Sequence, residues 1–334
     1  MRQMRRRFAL AAVLVLAAMP VLAGPAAAKD QARAEHDRIV ASWTTARLKA
    51  AIPRDFVKVG GSFKPSAKPD KPPGGGGGGS GAVTGASWNG GGDILARSGK
   101  VYFRMGSNAY VCSGAVANDS RSGYSLVLTA AHCAYDEVAR QFATDWLFIP
   151  EFDSAPTFTC SQTKYGCWTA SSLVVHNGYA TAGGFNTQAT VHDFAFAVVG
   201  PGGKSGSAQL DATTGAFPIS FASMSVGTSV HAFGYPAAGK YKGKDLVYCA
   251  GNIIEDVYND ELTWGVGCTM TGGSSGGPWL APFTTSSGSG TLHGLNSYGY
   301  SGVKNMYGPK FNANTQAVYN AANGATTSNV IVGS

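Results

Sequence analysis

Charge is scarce in this chain: only 13% of its 334 residues are Asp, Glu, Lys or Arg. Cysteines number six, and no Cys-x-x-Cys pair occurs among them, which argues against a zinc ribbon. Beyond the N-terminal apolar stretch at 8–23 there is no run long enough to cross a membrane, no nucleotide-binding loop and no internal repeat. A membrane-embedded body, a phosphate-cradling nucleotide site and a solenoid are thereby excluded. A surplus of one charge sign is also missing from most of the chain. The formal net charge is +7, but residues 1–28 hold four arginines and no acid, and residues 29–80 hold ten basic against five acidic side chains. Residues 81–334 keep twelve basic and fourteen acidic groups, so the body is nearly neutral and no nucleic-acid partner is expected. What the chain does have is 46 glycines and 14 tyrosines, a texture that fits a strand-rich extracellular protein. An even cysteine count agrees with an oxidising compartment.

The N-terminus reads as an export signal. Residues 1–7 are basic, 8–23 are apolar, and Ala26-Ala27-Ala28 supplies the small residues of a cleavage site. Arg5-Arg6-Arg7-Phe8 faintly resembles a twin-arginine signal, but a basic n-region and disulfides that form after export favour the general secretory route. Residues 29–54 are charged, Ala-rich and expected to be helical, with Ile39, Trp43 and Leu48 as apolar contacts. Lys64-Pro65, Lys68-Pro69-Asp70-Lys71-Pro72-Pro73 and six glycines at 74–79 follow; such a stretch cannot bury enough apolar area to fold. Residues 29–85 are expected to be a propeptide ending in a cleavable linker, with a permanent disordered arm as the alternative.

From about residue 87 short apolar runs alternate with Gly, Asn, Asp and Ser. Strands are expected at 101–105, 110–117, 125–129, 146–151, 173–176 and 193–199, and again at 229–233, 245–254, 262–268, 278–281, 291–296 and 306–311. Many short strands with turn signals between them argue for antiparallel barrels or sandwiches. A short helix is expected at 315–322, with Val318 and Tyr319 facing inward.

Three segments carry chemistry. Thr271-Gly272-Gly273-Ser274-Ser275-Gly276-Gly277-Pro278 places a serine on a tight glycine turn, where backbone N–H groups can approach a substrate carbonyl. Upstream, the run at 125–129 ends in Ala130-Ala131-His132-Cys133. Between them His192-Asp193 opens an apolar run. A serine hydroxyl is a weak nucleophile and needs a base within hydrogen-bond reach, so this trio points to Ser275 activated by His132, with Asp193 orienting the imidazole. His176 and His231 sit in apolar runs and suit structural roles, His36 lies in the propeptide, and His192 is expected to point away from Asp193. Asp136 follows His132 too closely to reach back.

The Thr129-Ala130-Ala131-His132-Cys133 and Gly273-Ser274-Ser275-Gly276-Gly277-Pro278 motifs, in the order His, Asp, Ser, resemble the signatures of chymotrypsin-like serine peptidases. The resemblance covers about 86–320 and is closest to the secreted bacterial branch that includes the glutamyl endopeptidases. It implies an all-β fold of two six-stranded antiparallel barrels, at 86–205 with His132 and Asp193 and at 206–334 with Ser275, the active site lying in the cleft between them. It also implies an oxyanion hole from the N–H groups of Gly273 and Ser275, and a Cys112–Cys133 bridge. Six cysteines allow fifteen pairings in principle; Cys160–Cys167 and Cys249–Cys268 complete the expected set. Ser274 stands where animal digestive relatives carry an Asp that pairs with a new N-terminus, so activation must work differently here. Substrate contacts are expected at Thr269, Ser297, Tyr298 and Gly299. No carboxylate stands near Thr269, which argues against trypsin-like preference. Asn296 holds the position where glutamyl endopeptidases use a histidine, and His293 lies three residues earlier near the expected cleft, which leaves Glu and small or apolar preferences both open. The expected protein is a secreted, monomeric serine endopeptidase acting on proteins or peptides, with no cofactor or metal and no membrane contact once the signal is removed. A non-catalytic binding protein on this fold, and an esterase with the same triad, are the alternatives.

Overall fold

The computed structural model describes residues 25–65, 82–152 and 159–333. Most of the expected export signal and the six-glycine run lie outside these residues. Every strand expected from the sequence is present, with ends shifted by up to five residues and the run at 245–254 divided into Val247–Asn252 and Ile254–Glu255. In the first half Ser98–Met105, Thr144–Pro150, Trp168–His176, Ala195–Val199, Ser125–Thr129 and Asn108–Ala117 pair in that order, and the last pairs back to the first. The ring closes, so none of these strands leaves an open edge. Val101, Phe103, Val127, Phe148, Val174 and Phe196 are fully buried there, branched and aromatic side chains that suit a pleated surface packed on itself.

The second half divides its strands between two sheets. One runs Ser289–Leu295, Pro278–Thr284, Ser229–Gly234, Val247–Asn252 and Val83–Ser87. The other runs Ile254–Glu255, Thr263–Gly267, Asn305–Pro309, Tyr298–Tyr300, Phe56–Val59 and Ser62–Pro65. Val230, Val266, Trp279 and Met306 pack between them, and the Cys249–Cys268 disulfide ties one sheet to the other. Residues 83–85, read from sequence as linker, are already strand. The chain ends by crossing back: Val330–Val332 pairs with Trp168–His176 of the first barrel. Just before it, the helix Ala313–Gly324 is capped by the Asn312 side chain and buries Val318, while Tyr319 is half-buried and donates to the Asn118 carbonyl.

The segment before the linker is folded onto the body. Helices Pro25–Ser42 and Thr45–Ala50 lay Ile39, Trp43 and Leu48 against Tyr102, Val111, Leu147 and Ile149 on the outer face of the first barrel. Trp43 Nε1 donates to the Asp145 carbonyl at 2.7 Å. Strands follow at Ile52–Pro53, which pairs with Tyr110 and Val111, and at Phe56–Val59 and Ser62–Pro65. Lys64 and Pro65, expected to open an unfolded linker, therefore finish a strand instead. Their hairpin is closed by Gly60-Gly61, both at positive φ, and takes its apolar burial from the body rather than from its own short sequence. Among the described residues no helix is long and apolar enough to cross a membrane.

Candidate active site

Ser275 sits in the turn that links Thr263–Gly267 to Pro278–Thr284. The turn packs so closely that its glycines have no room for a side chain. A Cβ on Gly277 would lie 2.1 Å from the Phe233 carbonyl oxygen, and one on Gly276, at φ +81°, 2.4 Å from that of Ser113. Asn296 holds the same turn from behind: its Nδ2 donates to the carbonyls of Phe233 and Ser274, and its Oδ1 accepts from Trp279 Nε1. Ser113 Oγ donates to the Gly273 carbonyl at 2.8 Å.

His132 lies in the single helical turn after the strand Ser125–Thr129, next to the Cys112–Cys133 disulfide. Its Nδ1 is 2.8 Å from Asp193 Oδ2, and its backbone N–H donates to Asp193 Oδ1 at 2.9 Å. Both side chains are fully buried. Asp193 precedes its strand rather than opening it, because the helix Thr187–Val191 ends at His192 and the strand begins at Ala195. His192 turns away and stacks on His176 with centroids 4.5 Å apart, as its place in the sequence suggested. Ser297, expected to touch substrate, uses its hydroxyl to donate to Asp193 Oδ2. His132 Nε2 is buried and has no hydrogen-bond partner among the described residues. The sulfurs of Cys112 and Cys133 lie close to His132, but the disulfide leaves them no thiolate for a metal.

A cavity of about 200 Å³ opens beside Ser275. Thr269, Met270, Gly299, Val303, Asn305 and Met306 are among its walls, together with Tyr298 and Ser297. Gly299 leaves it open, since a Cβ there would meet nothing nearer than the Asn305 carbonyl oxygen at 3.7 Å. The Thr269 hydroxyl is turned to the Thr84 carbonyl and to Tyr241 Oη. Neither Asn296 nor His293 lines the cavity. His293 is half-buried on the strand Ser289–Leu295, and desolvation lowers its pKa against a hydrogen bond with the Ala222 backbone. The cavity wall strand is braced by Asp256, whose Oδ2 accepts from Thr263, Tyr298 and Tyr300 hydroxyls; burial first, then this carboxylate, raises the pKa of Tyr298.

Asp55 and Phe56 also reach this place, and the sequence reading missed both. Ser275 Oγ donates to Asp55 Oδ1 at 2.7 Å, while the Gly273 N–H donates to Asp55 Oδ2 at 3.1 Å. Phe56 stacks on Phe185 at 4.0 Å and turns its ring edgewise to His132 at 5.5 Å.

No protein-family profile matches the sequence, and no curated protein does. Solved structures do match. Protease Anisep from Arthrobacter nicotinovorans is 33% identical, with 69% of this chain covering 97% of that one at a TM-score of 0.59. The thermostable serine protease AL20 from an extremophilic microorganism is also 33% identical, with 70% of this chain covering 100% of that one at a TM-score of 0.60. This chain belongs to the bacterial chymotrypsin-like serine proteases. A Glu endopeptidase, 19% identical over 73% of this chain and 99% of its own at a TM-score of 0.54, shares the fold.

For a chymotrypsin-like protease the placement of Asn296 is informative. Asn296, expected from the resemblance to stand where the glutamyl branch has a histidine, is a fully buried amide committed to the serine turn. All three disulfides join the expected cysteine pairs, Cys112–Cys133 being the one that the family resemblance implied. A sequence signal for the missed segment did exist: Phe56-Val57-Lys58-Val59, Gly60-Gly61, Ser62-Phe63 reads as two short strands around a two-residue turn.

Proposed function

We propose that this protein is a secreted serine endopeptidase that hydrolyses peptide bonds through an acyl-enzyme. Ser275 attacks the scissile carbonyl, His132 takes its proton and returns it to the leaving amine, and Asp193 holds the imidazole tautomer. The N–H groups of Gly273 and Ser275 stabilise the oxyanion. One observation carries the reading. Ser275 Oγ–H and the Gly273 N–H converge on a single carboxylate, so a reacting carbonyl can sit within about 3 Å of nucleophile and oxyanion donor together. In this reading the buried His132–Asp193 pair is the base.

The cavity beside Ser275 supports a preference for uncharged, apolar side chains before the scissile bond. Met270, Val303 and Met306 contribute to its walls, and apart from Asp55, which belongs to the propeptide segment, no charged side chain and no His is among its lining residues. Export is supported by the basic-apolar-small pattern of residues 1–28 and by three disulfides. Residues 29–65 serve as a propeptide, removed through the 66–81 stretch and ending before the body strand Val83–Ser87, and the mature enzyme works as a monomer on protein substrates.

The test is hydrolysis of a peptide library and of matched esters by the processed protein and its Ser275→Ala variant. Loss of about 10⁴-fold or more in peptide hydrolysis with an intact fold is expected. Unchanged hydrolysis in the variant contradicts the mechanism, and turnover of esters without peptides makes the protein an esterase.

A further inference from the structure

We propose that residues 52–65 are a backward-running peptide inhibitor of the cleft, with the Asp55 carboxylate occupying the oxyanion site. The inference rests on the endopeptidase reading and says how that same site is kept silent. Phe56, Val57 and Lys58 pair in parallel with Tyr298, Gly299 and Tyr300. A substrate whose acyl side lies along Ser297–Tyr300 must run toward Ser275, because its chain precedes the scissile carbonyl. It therefore pairs antiparallel to that strand. Here the chain starts at Ser275 and runs away from it. The group presented to the nucleophile is also a side-chain carboxylate, which resists attack, and not a peptide carbonyl. It takes the Ser275 hydroxyl proton in a hydrogen bond, so His132 Nε2 is left without a partner.

The fit is built into both partners. A Cβ on Gly272 would stand 1.9 Å from Asp55 Oδ2 and 2.8 Å from Pro53 Cβ, so the approach of Asp55 requires glycine there. On one side of Asp55, Arg54 donates to the His132 carbonyl and to Glu137, whose carboxylate is 2% exposed and also accepts from Tyr179. On the other side Phe56 packs at a right angle to the His132 ring, and Phe63 packs edge-on against Phe185 and Tyr298. Lys58 Nζ donates to the Tyr258 carbonyl at 3.2 Å. The helices around Ile39, Trp43 and Leu48 add an apolar anchor outside the cleft. None of these contacts depends on the 66–81 stretch. A cut there leaves residues 29–65 bound, and activity appears only when that piece is itself degraded or displaced.

The experiment compares rates of fluorophosphonate labelling at Ser275 in four forms of the full precursor: wild type, Asp55→Ala, Asp55→Asn and Phe56→Ala. Each is measured intact, after a cut at a protease site engineered into 66–81, and after complete removal of residues 29–65. Wild type is expected to label slowly when intact and equally slowly after the linker cut, with residues 29–65 co-eluting on gel filtration. Asp55→Ala is expected to label about 100-fold faster than wild type with its linker intact, since two hydrogen bonds to a charged group are lost. Asp55→Asn, which keeps the shape, and Phe56→Ala keep the test valid if the alanine variant does not fold, and faster labelling is expected in both. Rapid labelling of wild type after the linker cut alone overturns the proposal. So does slow labelling of all three variants beside a fully processed form that labels quickly. A fully processed form that never labels overturns the endopeptidase reading, and the inhibitor falls with it.

Discussion

Replacing Lys100 with methionine is expected to stabilise the precursor, by an amount that depends on pH. Lys100 lies on the strand Ser98–Met105, across from Ser113, and is almost fully buried. Its ammonium faces the Phe152 ring at 4.1 Å and the Tyr102 ring at 5.8 Å. Desolvation pushes its pKa down to about 7 from 10.5. The unfolded chain therefore keeps this proton up to about pH 10.5, while the folded chain has half lost it by about pH 7. Stability rises with pH across that window, because the unfolded state binds more protons. At about 1.4 kcal/mol per pH unit, the burden on the folded state is on the order of 4 kcal/mol at pH 7 and about 1 kcal/mol near pH 9.5. Methionine matches the length of the stem and titrates nowhere, so it removes this burden. The assay is urea denaturation at several pH values between about 7 and 9.5, with Ser275→Ala in both proteins to prevent autolysis. The variant should gain most at neutral pH and lose its advantage as pH rises. A gain that is constant with pH, or a methionine variant less stable at neutral pH, refutes the reasoning.

Four further outcomes are expected. Arg54→Met leaves the Glu137 carboxylate buried beside Tyr179 and should cost the precursor about 3 kcal/mol in the same denaturation assay. Ser297→Ala removes the hydroxyl donor to Asp193 and should lower kcat about tenfold with little change in KM, measured on the processed enzyme. Gly277→Ala drives a Cβ into the Phe233 carbonyl and should cost more than about 3 kcal/mol, or abolish soluble expression. Removing the Cys249–Cys268 bridge with paired alanines should cost about 3 kcal/mol in thermal or chemical unfolding, since it closes a loop with a sequence separation of 19.

Much of the first barrel, the His132–Asp193 pair and the serine turn were legible because they rest on local patterns. The run Ser125–Thr129 is apolar, ends in small residues and delivers His132 directly, and the serine turn is spelled out by its glycines. Residues whose role is set by distant partners were not legible in the same way. Ser297 reads as a substrate contact and lines the cavity, but nothing in the local pattern shows that its hydroxyl donates to Asp193, 104 positions away. Asn296 reads as a replaced histidine, yet its amide serves the serine turn from inside the core. Asp55 is an ordinary acid in a charged stretch until the fold carries it 220 positions along the chain to Ser275. The hairpin after it packs its aromatic rings on those of the body, so composition alone makes it look like part of a linker.

The most direct test of the central claim is the intact mass and peptide map of the fully processed, disulfide-intact protein after reaction with a fluorophosphonate. One adduct per molecule, on Ser275, is the expected result, and it should disappear in His132→Ala. No adduct, or an adduct on another serine, contradicts the assignment of Ser275 as a nucleophile activated by His132.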